Sequence, residues 1–387
     1  MKKFYAVLMT TILLGLMGFV LVGGFFKYKN SVRAGQEKPV TSKHLQQLTY
    51  TRDGIKFVNH EPAEKVDSLP SVEKTAIQKQ LDKNKFSGTC LLVKNGKIIY
   101  LQAFGNANNT TGKLNQINSV YPINSIQKGL TAYLIMQLIQ EHRLNFTDKI
   151  GKFYPKIPGG QTVTIRDMLN MCSGYQLPKQ MNYLASDEGV LKYNLSHLKY
   201  SSQQLGKFNY QEVNFTLLAG VVTKLTGTSY EKLIKQKIID KLNLTNTGFM
   251  YLNNPQQPIG YNFNNNQWQA QKIKQYEISR EFGASNIYMS VWDLYQSLAA
   301  LRNGTLLSSQ SKAELYQTTS KDPYVAGMYP LTQFNRIHGI GFGFESSVAM
   351  SSTGQDAVVL LTNHWNSKAA IQTTLTSQLY QIINQRF

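Results

Sequence analysis

Cysteine is nearly absent from this sequence: only Cys90 and Cys172 occur among its 387 residues. Two cysteines cannot build a disulfide framework or a four-cysteine zinc site. Lone cysteines usually pack as small hydrophobic side chains, so we interpret both as buried structural thiols. A bridge between them, or a nucleophilic role for one of them, is the alternative.

Motifs for metals, nucleotides and nucleic acids are also lacking. The six histidines are scattered, and no H-E-x-x-H pair, P-loop or strand-associated G-x-G-x-x-G segment occurs. Helix-turn-helix, zinc-finger and RNA-binding signatures are missing as well. The sequence therefore predicts no metal, no cofactor and no nucleic-acid partner.

Acidic residues are scarce, with 22 Asp and Glu against 41 Lys and Arg, which gives a formal charge of +19. Such an imbalance indicates the kind of partner and not the fold. On charge alone it suits a polyanion, which could be nucleic acid, anionic lipid or a phosphate-bearing wall polymer, and the missing binding signatures remove nucleic acid from these candidates.

A long uncharged run from Phe4 to Phe26 follows Lys2 and Lys3 at the N-terminus. As a helix, its 23 residues would span roughly 35 Å, enough to cross a hydrocarbon core of about 30 Å. A secretory signal has a shorter apolar region and a small-residue cleavage site. We therefore interpret residues 4–26 as an uncleaved transmembrane signal anchor rather than a buried core helix.

Basic residues also follow this run, at Lys27, Lys29 and Arg33, so the positive-inside rule does not choose an orientation. The enzymatic argument below places the bulk of the chain outside the cell. Residues beyond 33 hold 36 basic and 22 acidic side chains, a formal charge of +14. Outside a cell, the available polyanions are teichoic acid phosphates and anionic lipid headgroups.

Four segments are expected along the chain: a short tail (residues 1–3), the anchor (4–26), a polar extracellular spacer (27–66) and a hydrolase domain (67–387). Within the domain, SGTCLLVK and KIIYLQAF read as strands joined by Asn95-Gly96, a strong hairpin signal. Further strands are predicted over Phe344–Met350 and Ala357–Thr362. The predicted helices are Ser71–Lys83, Ser125–His142, Thr164–Asn170, Gln211–Leu225, Tyr230–Lys241, Val291–Arg302 and Ala369–Gln385. Residues 253–275, rich in Asn and Gln, are expected to form a surface excursion.

Strands near both ends of the domain with helices between them predict an α/β (α+β) fold. One central antiparallel sheet would be assembled from both ends of the domain, flanked by helices and accompanied by a helical lobe.

Ser125 and Lys128 form an S-x-x-K motif at the start of a predicted helix. Residues three apart lie on one helix face, about 5–6 Å apart at Cβ. A lysine there can take the serine proton if its own pKa is lowered by desolvation or a nearby cation. Such tetrapeptides also arise by chance, and the alternative is an exposed helix start with serine as its N-cap.

Several segments around this motif follow the order and spacing of one family. They are FSGTCLLVKNGKIIYLQAFGNAN, TVTIRDMLNMCSGY, FNYQEVNFTLLAGVVTKLTG, KLNLTNTGF, EFGASNIYMSVWDLYQSLAAL and HGIGFGFESSVAM. Over about residues 68–387 the chain resembles the serine β-lactamase and penicillin-binding-protein family. It is most similar to the branch of class C β-lactamases, D,D-carboxypeptidases and esterases.

The resemblance implies a role for each matching residue. Ser125 would attack an acyl carbonyl to form an acyl-enzyme, and Lys128 would take its proton. Tyr210 matches the tyrosine of the Y-x-N motif, which shuttles the proton to the leaving group. His338 matches the first residue of the H-x-G or K-T-G strand and would face Ser125. The backbone N–H groups of Ser125 and Gly341 would form the oxyanion hole.

Two positions depart from the family pattern. Glu212 stands where Y-x-N usually has asparagine, and Ile340 stands where the strand motif usually has glycine. An ionised carboxylate cannot donate a hydrogen bond to a substrate carbonyl. These departures argue against β-lactam or peptide hydrolysis more than against acyl-enzyme chemistry. Glu212 could bind a substrate ammonium, favour the helix dipole, or pair with Lys128 and keep it protonated.

The resemblance implies a serine hydrolase acting on D-alanyl groups of the cell envelope. We favour D-alanyl esters of teichoic acid, because the motifs depart from the peptidase pattern and the domain is basic. The D-Ala-D-Ala terminus of a peptidoglycan stem peptide, cleaved by a D,D-carboxypeptidase, is the alternative substrate, and a general esterase is another alternative. From a different class, the domain could be an inactive wall-polymer binding module.

Overall fold

The structure is a computed structural model, and it describes residues 49–52, 55–58, 64–317, 324–367 and 371–384. The predicted anchor over residues 4–26 lies outside the described residues, as does most of the predicted spacer. Among the described residues, no helix is long and apolar enough to cross a membrane.

A seven-stranded antiparallel sheet is the centre of the fold. In chain order its strands are β1 (Val66–Asp67), β2 (Gly88–Lys94), β3 (Lys97–Phe104), β4 (Tyr329–Pro330), β5 (Asn335–Gly341), β6 (Phe344–Met350) and β7 (Ala357–Thr362). Their spatial order is β4-β5-β6-β7-β2-β3-β1. Early strands therefore pair with late ones, which confirms the prediction of one sheet assembled from both ends of the domain.

Eleven α-helices are assigned within the described residues. They are α1 (Ser71–Lys83), α2 (Gln127–Gln140), α3 (Ile165–Leu169), α4 (Asp187–His197), α5 (Val213–Thr226), α6 (Tyr230–Ile234), α7 (Asp240–Leu242), α8 (Gln275–Ser279), α9 (Val291–Ala300), α10 (Ser309–Leu315) and α11 (Ile371–Asn384). A π-helical segment, Lys235–Ile239, joins α6 to α7. Three 3₁₀ turns are present, over Asn124–Ile126, Ile150–Lys152 and Ser202–Gln204.

The remaining strands are short and lie outside the main sheet. They are Thr49–Arg52, Ile55–Val58, Asn106–Asn108, Lys113–Leu114, Tyr121–Pro122, Tyr175–Gln176, Lys199–Tyr200, Thr247–Phe249, Tyr261–Asn264, Gln267–Ala270, Ile287–Met289 and His364–Trp365. Tyr121–Pro122 pairs with Ile287–Met289 and leads directly into the segment that carries Ser125.

Both faces of the main sheet are covered. Helices α1 and α11 pack on one face, where Leu92, Leu360 and Leu379 belong to one apolar cluster. The opposite face, with Leu91, Val348 and Leu361, packs against α9 and belongs to the cluster shared with the helical lobe. Alternate residues of a strand therefore enter different cores, as the period of two requires.

Locally encoded elements match their predicted bounds closely. The hairpin between β2 and β3 turns at Asn95 and Gly96, whose φ angles of 51° and 71° fit a type I′ turn. Residues 253–275 lie largely at the surface, as expected, and they include a hairpin of Tyr261–Asn264 and Gln267–Ala270 whose first residue, Tyr261, is buried. Cys90 and Cys172 are both buried thiols outside any disulfide, as predicted.

Candidate active site

Ser125 lies in the 3₁₀ turn that precedes α2. From residue 119 to residue 136 every side chain is buried except that of Ser125. The preceding residue, Asn124, is fully buried and has a positive φ of 50°. The fold thus exposes one nucleophilic hydroxyl from a segment that is otherwise core.

Gln127 holds this turn against the neighbouring strand. Its side-chain oxygen accepts hydrogen bonds from the backbone N–H groups of Asn286 (2.6 Å) and Ile287 (2.9 Å). Its amide nitrogen donates to the Asn286 side chain (2.9 Å) and the Tyr230 hydroxyl (3.3 Å). A buried glutamine with its hydrogen bonds satisfied gives the start of α2 a fixed position.

Lys128 connects the nucleophile to the rest of the site. Its Nζ donates to Ser125 Oγ at 2.8 Å, to Glu212 Oε1 at 3.2 Å and to the backbone oxygen of Ala284 at 3.5 Å. The side chain is fully buried. The spacing of S-x-x-K therefore brings the two predicted residues into hydrogen-bonding contact.

The charge on Lys128 follows from its surroundings. Burial lowers the pKa of Lys128, but the oxygens of Tyr210 and Glu212 together raise it by more, with a smaller contribution from Glu281. The pKa therefore ends above its ordinary value, and the resting site holds an ammonium. To act as the base predicted from the sequence, Lys128 must first pass a proton to a neighbouring oxygen.

Tyr210 is the other side chain beside Lys128, and its neutral hydroxyl can relay a proton but not take up an additional one. It hydrogen-bonds to the Lys128 side chain, and Lys128 Nζ lies 5.3 Å from the centre of its ring. The ring also packs edge-on against buried Tyr324, with centroids 5.5 Å apart. The structure thus brings Tyr210 together with Lys128 at the site.

Glu212 occupies the N-cap position of α5, but its side chain makes no capping hydrogen bond. Instead its Oε1 contacts Lys128 and, at 3.5 Å, accepts from Ser285 Oγ. Glu212 was expected to bind a substrate ammonium, favour the helix dipole or pair with Lys128, and the structure shows the contact with Lys128. A role in substrate binding stays a prediction, and 35% of the side chain is exposed for it.

A second carboxylate beside the site, Glu281, was not singled out from the sequence. Its side chain is only 12% exposed and lies 3.4 Å from Arg280 Nε. Burial, followed by the negative charge of Glu212, raises the pKa of Glu281 to about 8. Lys128 and Arg280 act in the opposite direction. No motif marks this glutamate, and only the turn after α8 brings it here.

Strand β5 lies against the nucleophile turn through its glycines. A Cβ on Gly339 would lie 2.4 Å from the backbone oxygen of Ile123 and 2.8 Å from the nitrogen of Ser125. A Cβ on Gly341 would lie 2.7 Å from Asn124 Oδ1. Gly339 would meet backbone atoms, so this position requires glycine if the strand is to approach Ser125 this closely, whereas Gly341 would meet only the side chain of Asn124.

His338 is placed differently from the prediction. Since Gly339 faces the nucleophile turn, the alternation of the strand directs His338 to the other face. There its Nε2 lies 2.8 Å from Oε1 of fully buried Glu345, across the sheet from the helical lobe. The sequence motif identified the strand that lies beside Ser125. Which of its alternating side chains face Ser125 depends on how the strand packs.

Gly341 also differs from its predicted role as an oxyanion-hole donor. Phe342 and Gly343, with φ angles of 58° and 81°, form the two-residue turn between β5 and β6. In such a hairpin the two residues that flank the turn, here Gly341 and Phe344, exchange backbone hydrogen bonds. Non-hydrogen-bonded and hydrogen-bonded pairs then alternate along the two strands. We infer that Ile340, one residue earlier, directs its N–H outward at the edge beside Ser125.

Comparison with known proteins gives one family. The family model described as Beta-lactamase matches residues 74–377. The Bacillus subtilis protein PbpX, named as a penicillin-binding protein, is 28% identical over 361 residues, which cover 92% of this chain and 90% of PbpX. A teichoic acid D-alanine hydrolase of Staphylococcus aureus is 27% identical over 281 residues, covering 69% of this chain and 68% of that protein.

Solved structures show the same fold. The crystal structure of FmtA from Staphylococcus aureus superimposes with a TM-score of 0.75 at 23% identity, covering 93% of this chain and 95% of FmtA. The D-amino acid amidase of Ochrobactrum anthropi gives a TM-score of 0.69 at 16% identity, covering 81% of this chain and 98% of the amidase. At these identities the similarity is one of architecture.

Proposed function

The chain belongs to the β-lactamase family of serine hydrolases, and from that premise we propose that it removes D-alanyl esters from teichoic acid. It would do so outside the cell, with residues 4–26 as its membrane anchor. The proposal names the ester as substrate in preference to the D-Ala-D-Ala peptide.

The observation that carries this choice is the partly exposed carboxylate of Glu212 beside Lys128 and Ser125. A D-alanyl ester carries a free ammonium next to its scissile carbonyl. In a D-Ala-D-Ala peptide terminus the corresponding nitrogen is acylated and neutral. Charge-assisted hydrogen bonds are roughly twice as strong as neutral ones, so a carboxylate here favours the ester.

Two further observations support the same substrate. One relative, from Staphylococcus aureus, is named as a teichoic acid D-alanine hydrolase. Teichoic acid is polyanionic, and the part of the chain beyond residue 33 carries a formal charge of +14. Opposite charge raises the local concentration of such a polymer at the enzyme surface.

Acylation begins at the pair of Ser125 and Lys128. The Lys128 ammonium passes a proton to the carboxylate of Glu212, whose Oε1 lies 3.2 Å away, and its free amine then takes the proton of Ser125 Oγ. The Oγ–carbon bond forms while the carbonyl electrons move onto oxygen. The N–H groups of Ser125 and Ile340 stabilise this oxyanion.

Collapse of that intermediate breaks the ester bond. The polymer oxygen leaves and takes a proton from the Lys128 and Tyr210 pair, which leaves D-alanine esterified to Ser125. Water then attacks the acyl-enzyme with the same groups as base and acid. The balance is one ester and one water consumed, and one D-alanine and one polymer hydroxyl released.

Release of free D-alanine from D-alanylated teichoic acid tests the proposal. The wild-type protein should release it and the Ser125→Ala variant should not. Release from a D-Ala-D-Ala peptide at a comparable kcat/KM would favour a carboxypeptidase instead. Labelling by a fluorophosphonate separates an enzyme from a binding module, because only an activated Ser125 reacts.

A further inference from the structure

A second cation stands beside the catalytic residues. Arg280 directly follows α8, and its side chain is 25% exposed. Its Nε lies 3.4 Å from Glu281 Oε1, and its Nη1 donates to the backbone oxygen of Met181 at 3.4 Å. Its Nη2 has no hydrogen-bond partner among the described residues. The guanidinium therefore keeps donor capacity at a position that solvent reaches.

The turn after Arg280 forms part of the wall of the catalytic site. The backbone oxygen of Ala284 accepts from Lys128 Nζ at 3.5 Å. The next residue, Ser285, donates from its Oγ to Glu212 Oε1 at 3.5 Å. Because Arg280 precedes Ala284 by only four residues, this turn places it on the side of the site where Glu212 lies.

The segment from Leu177 to Met181 reaches the same side independently. The N–H of Leu177 donates to Gln211 Oε1 at 3.4 Å, and Gln211 immediately precedes Glu212 in the chain. Four residues after Leu177, the backbone oxygen of Met181 accepts from Arg280. Arg280 therefore bridges two segments that each contact the residues before α5, and it lies at the rim of the site beside Glu212.

The charge of Arg280 is available to an incoming anion. Burial and the negative charge of Glu212 raise the pKa of Glu281 to about 8, so near neutral pH this neighbouring carboxyl is largely protonated. Lys128 cannot serve the same purpose, because it is fully buried and already pairs with Glu212. An anion that enters the site beside Glu212 therefore meets Arg280.

A D-alanyl ester of teichoic acid brings such an anion with it, since phosphodiester groups link the alcohols that carry the D-alanine. The alcohol leaves beside Lys128 and Tyr210, which supply its proton. We propose that Arg280 binds the phosphodiester adjoining the scissile ester and thereby selects phosphate-bearing alcohols as leaving groups. A guanidinium can pair with two phosphate oxygens at once, which an ammonium cannot do. This inference rests on the proposed function and names the part of the substrate that the leaving-group side recognises.

Two small esters that differ only in this group test the proposal. One is the D-alanyl ester of ethylene glycol, and the other is the same ester with its free hydroxyl converted to a methyl phosphodiester. Wild-type kcat/KM should be about tenfold higher on the phosphodiester, since hydrogen bonds between charged groups are among the strongest. Arg280→Gln should abolish this preference with little change in kcat/KM on the neutral ester. Arg280→Lys keeps the charge but loses the paired geometry, so it should retain part of the preference.

Arg143→Gln is the matched control. Arg143 also contacts a glutamate, Glu141 at 3.1 Å, and a backbone oxygen, that of Leu225, but it follows the end of α2 opposite to Lys128. This variant should keep the wild-type preference. If Arg280 only braces the fold, Arg280→Gln should lower kcat/KM on both esters by the same factor. That result, or a preference that survives in Arg280→Gln, would overturn the proposal.

Binding without turnover separates this inference from the proposed function. Titration calorimetry on the Ser125→Ala protein measures its affinity for the two uncleaved esters. Tighter binding of the phosphodiester that is lost in the double variant Ser125→Ala, Arg280→Gln supports the inference, even if the wild-type protein releases no D-alanine from teichoic acid. Equal affinity for both esters would refute it. A loss in the double variant that is confined to a D-Ala-D-Ala peptide would also refute it, because Arg280 would then recognise a carboxylate.

Discussion

The carboxylate of Glu212 lies 3.2 Å from the ammonium of Lys128. This contact joins two parts of the fold, since Lys128 is in the first turn of α2 and Glu212 stands at the start of α5. It keeps the lysine charged in the resting site. Catalysis therefore has to move a proton off Lys128 before Ser125 can be activated.

Removing either member of the nucleophilic pair should abolish turnover. We expect Ser125→Ala and Lys128→Ala each to lower kcat by about 10³-fold or more, because groups that act as a unit are strongly non-additive. Steady-state hydrolysis at saturating substrate measures this, with circular dichroism as the control for folding. Near wild-type turnover by either variant would show that the nucleophile has been assigned wrongly.

The contact between Gly339 and the nucleophile turn predicts a sharp steric effect. In Gly339→Ala the new Cβ would lie 2.8 Å from the nitrogen of Ser125, so the strand or the turn must shift. A displacement near 1 Å at reacting groups can cost about 10²-fold in rate, and we expect a loss of that order in kcat.

Gly129→Ala is the matched control for this substitution. It adds a methyl group within α2 that meets only the Ala326 backbone oxygen, at 3.9 Å. It should keep activity and stabilise the helix by about 0.5–1 kcal/mol. If both alanine variants retain full activity, β5 does not need its close approach to Ser125.

The elements that the sequence predicted well are those encoded locally. Strands Phe344–Met350 and Ala357–Thr362 and helix Ser71–Lys83 have their predicted bounds, because apolar runs and terminal polar residues mark their ends. The S-x-x-K pair could be predicted for the same reason, since three residues of helix fix its geometry.

What the sequence did not provide depends on packing between distant segments. The direction of the His338 side chain depends on the face of β5 that packs against the turn at Ser125. The two-residue turn at Phe342 and Gly343 fixes which residues of β5 direct their N–H groups outward, and it assigns the outward N–H to Ile340 instead of the predicted Gly341. Glu281 lies 69 residues from Glu212 and has no motif, so only the folded chain shows their electrostatic coupling.

Glu281 predicts a pH dependence of stability. Its pKa is about 8 in the folded chain against 4.5 for an ordinary glutamate. Between these values the unfolded chain releases the proton and the folded chain keeps it, so the free energy of unfolding should fall as pH rises through this window. Glu281→Gln lacks this titration and should lose less stability between pH 5 and pH 9.

Urea denaturation midpoints at both pH values measure the effect, with Glu188→Gln as a control at an exposed carboxylate. The pH–rate profile provides an independent measurement. Ionised Glu281 adds negative charge near Lys128, so wild-type activity should change near pH 8 and the Glu281→Gln profile should not. Identical pH dependence in wild type and variant would mean that Glu281 stays ionised in the folded protein.

The proposed anchor predicts how the chain partitions. Full-length protein should sediment with membranes, whereas a chain that starts at residue 34 should be soluble and keep the kcat of the full-length enzyme. The reason is that the match to the family begins at residue 74, well beyond the apolar run. Soluble behaviour of the full-length chain would contradict the anchor, and an inactive but folded truncated chain would contradict the domain boundary.

Glu212→Asn separates the interpretations of this residue. If Glu212 pairs with the substrate ammonium, the variant should lose about tenfold or more in kcat/KM on a D-alanyl ester, since hydrogen bonds to charged groups contribute about 1.5–3 kcal/mol. An acetyl ester of the same alcohol has no ammonium, so the variant should lose little kcat/KM on it.

The other two interpretations predict different outcomes. If Glu212 acts only by holding Lys128 charged, kcat/KM should change by the same factor on both esters. The pH profile should also shift toward lower pH, because the Lys128 pKa falls when that carboxylate is removed. If only the helix dipole is involved, the variant should change stability by ~0.3–1 kcal/mol and leave both activities equal to wild type. The decisive quantity is therefore the kcat/KM on the D-alanyl ester divided by the kcat/KM on the acetyl ester. Loss of a proton acceptor lowers both values alike and leaves this ratio unchanged. A ratio unchanged from wild type would remove the reason for preferring the D-alanyl ester.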